Sequence, residues 1–329
     1  MKKKMYGIML VLAAAASILT AAGARETAPV QEDCPRGMLD VLYCDRDGDL
    51  VADLPEDPSK WVDPATLIFA YTPVEDPAIY EDIWTPFIDH LEDVTGRNVR
   101  FFSVQSYAAQ IEAMRSGRLH IAGVSTGPTP FAVNLAGAVP FAIMGGEGGQ
   151  FGYTLQVYVR KDSGINTMED LVGKRVAHVS PTSNSGHQAP SALFPGLGVT
   201  PGEDYEILFS GSHENSMLGV VAGDYDAAPV ASEVIDRMAM RNLFNPDEMK
   251  IIYETDSFPT TSYTHIYNLH PDMVEKVKEA FFTFDFAGTA LGEEFADVEG
   301  FIPITYKDHW SMIRTIQEYN GVVYTLDNL

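Results

Sequence analysis

From Thr66 onward, short apolar runs alternate with stretches of helical period, and the turns between them are rich in Ser, Thr and Gly. "TLIFAYT" (66–72) predicts a buried strand ended by Pro73. "PAIYEDIWTPFIDHLEDVTG" then sets Ile83, Trp84, Phe87, Ile88, Leu91 and Val94 on one helix face, with a bend or edge at Pro86 and a stop at Gly96. "NVRFFSV", "YAAQIEAMRSG" and "LHIAGVS" continue as strand, helix and strand. Such a cadence builds an α/β fold with parallel pairing and crossovers. "YTLQVYVRK" predicts a strand leaving this unit. "KRVAHVS", "YEILFSGS", "YDAAPVA" and "KIIYET" are strands of a second unit with helices between them, and helices at "DMVEKVKEAFFTFDFAG" and "HWSMIRTIQEYN" follow. The order fits two α/β lobes joined by a double crossover. The first would take residues 65–155 and 262–329, and the second residues 156–261.

Residues 1–24 stand apart. Lys2, Lys3 and Lys4 precede an apolar run, Ile8 to Leu19, which is too short to span a bilayer and ends in Ala22-Gly23-Ala24. This is the pattern of a cleaved export signal, so a periplasmic location is expected. Removing it takes the formal charge from −24 to −27 (−24 − 3). A surface this acidic disfavours nucleic acid and anionic membranes, which need a basic footprint.

Residues 25–64 form an extension rich in Pro, Asp and Gly. It holds the chain's two cysteines, Cys34 and Cys44, close enough in sequence to pair in an oxidising compartment. It also holds "DRDGDLVAD", where Asp45, Asp47, Asp49 and Asp53 take spacings suited to Ca²⁺. Leu50 stands where such loops carry glycine, and Glu56 takes the twelfth position. A structural Ca²⁺ and a solvated acidic turn are both compatible with this pattern; no cofactor is required.

The chemistry concentrates in four turns. "VAHVSPTSNSGHQAP" ends a strand and enters a helix through Thr182, Ser183, Asn184 and Ser185, with helix expected near Gly186 to Leu193. An N-cap needs one such residue. Four of them, where free N–H groups and the helix dipole favour negative charge, suit an anion cradle. "FSGSHENS" repeats the arrangement and places His213 at a helix start, where it can donate to an oxyanion and bring pH sensitivity. "AGVSTGPTP" supplies Ser125 and Thr126, and "AYTPVEDP" supplies Tyr71. In open α/β sheets ligands bind at strand carboxyl ends. No G-x-S-x-G, H-E-x-x-H, phosphate-binding glycine loop or dinucleotide fingerprint is present, so an exported phosphate-ester hydrolase lacks support.

"RSGRLHIAG", "VRKDSGINTMEDLVGKRVAHVSPTSNSGH", "FSGSHENSMLGVVAGDYDAA" and "FIPITYKDHW" resemble landmarks of the periplasmic phosphate-, phosphite- and phosphonate-binding proteins of ABC importers. The resemblance runs from about residue 66 to the end. It implies a two-lobed periplasmic-binding-protein fold of type II, with two hinge strands closing on a small tetrahedral oxyanion. By the same resemblance, Thr182, Ser183, Asn184, Ser185, His213 and Tyr71 would hold the ligand, with Ser125 and Thr126 from the first lobe. The partner would be an inner-membrane ABC permease, served by a monomer; a sensor kinase is the alternative. In aminoalkyl-phosphonate importers an acidic residue follows the strand after "GDYDAA". Here Ala231 and Ser232 come first and the acid is displaced to Glu233. The N-terminal region resembles a subgroup that includes an arsenite-binding periplasmic protein, whose ligand cysteine is replaced here by Leu135 in "VNLAGAVPF". Trivalent arsenic needs thiolate sulfur, so that chemistry is not expected.

Overall fold

β1 (Thr66–Tyr71) is buried from Leu67 onward, as a strand covered on both faces should be. α1 (Tyr80–Thr95) lays Trp84 and Phe87 on Phe69 of that strand. The helix continues through Pro86 rather than ending there, because the buried aromatics flanking the proline outweigh one lost backbone bond. It stops at Gly96 in the left-handed region. β2 (Asn98–Phe101) and β3 (Ile121–Val124) pair parallel with β1, on either side of α2 (Tyr107–Arg115) in the chain. α3 (Pro128–Ala136) and β4 (Ala138–Gly146) follow. In this computed structural model the described residues are 34–146, 149–150 and 152–329. Residues 1–33, where the export signal is expected, lie outside them.

β5 (Gly149–Gln150) folds back on β4, and β6 (Gly152–Tyr153) leads away. A second sheet is built from β7 (Leu155–Arg160), β8 (Arg175–His178), β9 (Glu206–Phe209), β10 (Ala227–Ala231) and β11 (Met249–Glu254), in the order β11-β7-β10-β8-β9. α4 (Ala189–Leu193), α5 (His213–Ala222) and α6 (Ser232–Met240) connect these strands. β12 (Phe258–Pro259) brings the chain back and pairs antiparallel with β6, so the two crossings run side by side as a hinge. β13 (Ser262–Ile266), α7 (Pro271–Thr283), α8 (Ala290–Glu294), β14 (Gly300–Pro303), α9 (Tyr306–His309) and α10 (Ser311–Tyr319) complete the first lobe. Its sheet runs β14-β4-β13-β3-β1-β2. The result is the expected α/β architecture of two lobes and two hinge strands.

Cys34 and Cys44 are disulfide-bonded, which leaves no free thiol. Their segment docks on the end of α3: the Asp40 amide donates to the Asn134 carbonyl, and the Tyr43 hydroxyl to that of Leu135 at 3.3 Å. No helix among the described residues is long and apolar enough to cross a membrane.

Candidate functional site: the cavity between the lobes

After β8 the chain turns at Ser180 and enters its helix at Asn184, slightly before the expected start. The first turn, Asn184–Gln188, is wound wide as a π-turn before α4 begins. Ser183 caps it, its Oγ accepting from the Gly186 amide at 3.2 Å. Gly186 is required by close approach: a Cβ there would stand 2.4 Å from the Val179 side chain. Ser212 caps α5 in the same way, accepting from the Asn215 amide at 3.1 Å. His213 is buried, and its Nδ1 accepts from the Ala231 amide at 3.3 Å, which leaves the proton on Nε2. Burial, and secondarily the nearby Arg237 guanidinium, push its pKa down to about 3. The side chain is therefore a neutral donor, and the expected pH sensitivity does not come from it.

Tyr71, Ser125, Thr126, Ser183, Asn184, Ser185 and His213 line one cavity between the lobes. Thr182 does not; it is buried beneath Gly127, where its carbonyl packs against the other lobe. Thr126 gives its hydroxyl proton to the hinge carbonyl of Pro259 at 2.8 Å. The cavity is tight: about 10 Å³ is open to the centre of a water-sized sphere, the scale of a single water. No Lys or Arg lines it.

Three further polar residues line the cavity that the sequence did not assign to it. Thr261 sits just past the return hinge strand. Tyr153 lies on the outgoing hinge strand and accepts from Asn184 Nδ2 at 2.9 Å; burial pushes its hydroxyl up to about 12. In the sequence it looks like one more residue of an alternating strand. Glu233 is the displaced acid, and the displacement does not remove it from the site. α6 begins at Ser232, so Glu233 falls in the first helical turn and faces the cavity. Its Oε2 is buried with no hydrogen-bond partner among the described residues. Burial raises its pKa to about 7 against the opposing pull of Arg237.

The sequence profile described as "ABC transporter, phosphonate, periplasmic substrate-binding protein" matches residues 69–310. The chain belongs to this family. It is 29% identical over 285 residues to the phosphate-import protein PhnD of Mycolicibacterium smegmatis, covering 80% of this chain and 86% of the relative. It is 27% identical to the phosphonates-binding periplasmic protein of Escherichia coli over 205 residues, 61% of each. Among solved structures, a binding component of an ABC phosphonate transporter from Pseudomonas aeruginosa matches with a TM-score of 0.71 at 24% identity, over 79% of this chain and 87% of that one. PhnD1 from Prochlorococcus marinus in complex with methylphosphonate matches with a TM-score of 0.69 at 16% identity, over 79% and 99%. These relatives are binding proteins of transporters, not enzymes.

In this phosphonate-family protein the lobes are also tied together by charge. Glu75, in the loop after β1, is buried and accepts from Arg237 of α6 and from Arg241 just past its end, at 2.9 and 2.6 Å. Tyr80 donates to the same carboxylate at 2.7 Å. Glu294 of α8 meets both arginines from the first lobe as well, and the Arg237 guanidinium lies over the Phe295 ring. Near the cavity, Gly127 touches the second lobe's backbone so closely that a Cβ would stand 2.2 Å from the Thr182 carbonyl oxygen.

The acidic loop lies elsewhere, on the extension. Asp45, Asp47 and Asp49 bring carboxylate oxygens within 4.8 Å of one another, and Leu50 adopts the left-handed φ of 72° that a glycine would favour. Asp53 does not join them. It pairs with Arg46 at 3.1 Å, and Glu56 turns to the same guanidinium at 3.5 Å. Arg46 thus takes the ninth and twelfth positions of the loop. Asp45 meanwhile accepts the loop amides of Gly48, Asp49 and Leu50. A Ca²⁺ held by these three carboxylates would draw the rest of its six to eight oxygens from backbone carbonyls and water.

Proposed function

We propose that this protein captures a small phosphorus oxyanion, phosphate, phosphite or a phosphonate, between its lobes and presents the closed form to an ABC permease. The observation that carries this reading is the meeting of two helix-start turns of the second lobe with Tyr71, Ser125 and Thr126 of the first around one cavity. Ser183, Asn184 and Ser185 offer a capped helix start with its dipole, and His213 a fixed neutral N–H. Such donors replace the water stripped from an anion without needing a counter-charge in contact. Closure then creates a surface that neither open lobe presents.

Isothermal titration with phosphate, phosphite and methylphosphonate tests the reading. At least one should bind, and Ser183→Ala and His213→Ala should each weaken it about tenfold, the worth of one charge-assisted hydrogen bond. Unchanged affinity in both variants would exclude this cavity as the site.

A further inference from the structure

The cavity proposed to hold an anion contains no cation and one unpaired carboxylate. That pairing is electrostatically wrong for a fully ionised ligand, because two like charges at hydrogen-bond distance in a dry site repel strongly. Glu233 Oε2 is shut off from solvent without a hydrogen-bond partner among the described residues, and a buried acceptor is costly to leave unsatisfied. The nearest positive group, Arg237, lies one helical turn along α6 and is engaged by Glu75 and Glu294. Asp236 and Glu75 add negative charge around Glu233. The tyrosines Tyr71, Tyr107 and Tyr153, from β1, α2 and the hinge, face it as neutral phenols raised by burial. His213, from α5, is neutral too.

We propose that Glu233 shares a single proton with the bound anion, so that the site selects tetrahedral oxyanions carrying an ionisable hydroxyl, phosphates and phosphonates, over sulfate and sulfonates. The inference rests on the oxyanion reading above. One proton lies between Glu233 Oε2 and one ligand oxygen, and the remaining ligand oxygens face hydroxyl and N–H donors. Where Glu233 is ionised, the proton comes with the ligand when it binds as the monoanion, or from solvent when it binds as the dianion; sulfate has no oxygen basic enough to carry it. The two descriptions give one complex, as for any coupled pair of acids. A carboxylate raised to about 7 is suited to this exchange.

Methylphosphonate and sulfate are the probes, with 2-aminoethylphosphonate as the control for an ammonium partner. Calorimetry of the wild-type protein at pH 9 in buffers of different ionisation enthalpy should show close to one proton taken up per methylphosphonate bound. Affinity should fall about tenfold per pH unit above the pKa values of both partners. Sulfate should bind at least a hundredfold more weakly. In Glu233→Gln the amide donates where the proton sat. The proton uptake should vanish, the alkaline slope should flatten to under twofold per unit, and sulfate should tighten tenfold or more. Zero proton uptake by the wild type, which needs no variant to fold, would overturn the proposal. So would wild-type binding of sulfate as tight as of methylphosphonate, an equal pH slope in both proteins, or a tenfold preference for 2-aminoethylphosphonate that Glu233→Gln abolishes. If no phosphorus oxyanion binds the wild type at all, the oxyanion reading itself fails and takes this inference with it. Binding with an unaltered slope removes the proton alone.

Discussion

Glu75, which is buried, and Glu233, whose Oε2 is shut off from solvent, are two carboxylates in the seam between the same two lobes, and the fold treats them in opposite ways. Glu75 is surrounded by Arg237, Arg241 and Tyr80. Glu233, one helical turn from Arg237 on α6, keeps an oxygen without a hydrogen-bond partner among the described residues. Removing a carboxylate from water costs several kcal/mol unless opposite charge and hydrogen bonds replace it. At Glu75 the replacement is internal, so this carboxylate is part of a latch between lobes. At Glu233 the internal replacement is partial, and Oε2 has no hydrogen-bond partner among the described residues, so the missing partner is assigned to a ligand. The arginine that satisfies one carboxylate is thereby withheld from the other. Because both lie on α6 or against it, a change in the latch should be felt in the cavity.

The largest expected effect comes from breaking the satisfied member. Glu75→Gln leaves the buried Arg237 and the half-buried Arg241 with Glu294 as their remaining carboxylate, and deletion of one partner from a buried charge network costs about 3–5 kcal/mol. Urea unfolding should show a loss of this size, and methylphosphonate should bind more weakly as the closed form loses its tie. Replacing Arg237 as well, by Met, should restore part of the stability, since no uncompensated charge then stays at that position. An unchanged unfolding midpoint in Glu75→Gln would mean that the latch does not hold the lobes together in solution.

A smaller effect tests the seam itself with no change of charge. Gly127→Ala places a methyl group 2.2 Å from the Thr182 carbonyl oxygen and 2.4 Å from the Asn184 amide nitrogen, both backbone atoms of the opposite lobe. Neither can yield without the lobes moving apart, and the three atoms nearest the new methyl group all belong to the opposite lobe. Methylphosphonate affinity should drop about tenfold or more, at least ~1.4 kcal/mol, while circular dichroism of the ligand-free protein stays as it was. Small-angle scattering should find the liganded variant more open than the wild type. Equal affinity and equal compactness would show that closure does not bring Gly127 onto Thr182.

The sequence exposes some of this seam and conceals the rest for definite reasons. Ser183, Asn184, Ser185 and His213 stand out because hydroxyl and imidazole groups gather where a strand turns into a helix, a place with spare N–H groups. Thr182 has the same composition signal, yet it lies under Gly127; which way a turn residue points depends on the neighbouring lobe, not on local pattern. Tyr153 sits in an alternating stretch whose period suits any half-buried strand, so nothing marks its hydroxyl as a cavity wall. Glu233 is visible as an acid, but its offset from the end of β10 reads as displacement until the helix start at Ser232 turns it inward. Glu75 and Arg237 meet across a sequence separation of 162 residues and carry no local signal at all. Arg46 is visible beside the acidic loop, but its capture of Asp53 and Glu56 requires the folded geometry.

The finest test concerns Ser183, which plays the part of Glu75 and that of Glu233 in one side chain. Its Oγ accepts from the Gly186 amide at 3.2 Å, an internal partnership, while its own hydroxyl proton is assigned to the ligand. Ser183→Ala removes both roles and should cost about 1 kcal/mol in stability for the lost cap. Ser183→Gly also removes the hydroxyl but costs only a few tenths of a kcal/mol as a cap. If the hydroxyl meets the anion, methylphosphonate affinity should fall by the same factor in both variants although their stabilities differ. If affinity instead tracks stability, with Gly close to wild type, then Ser183 is a cap alone and the cradle is made by Asn184, Ser185 and the helix start behind them.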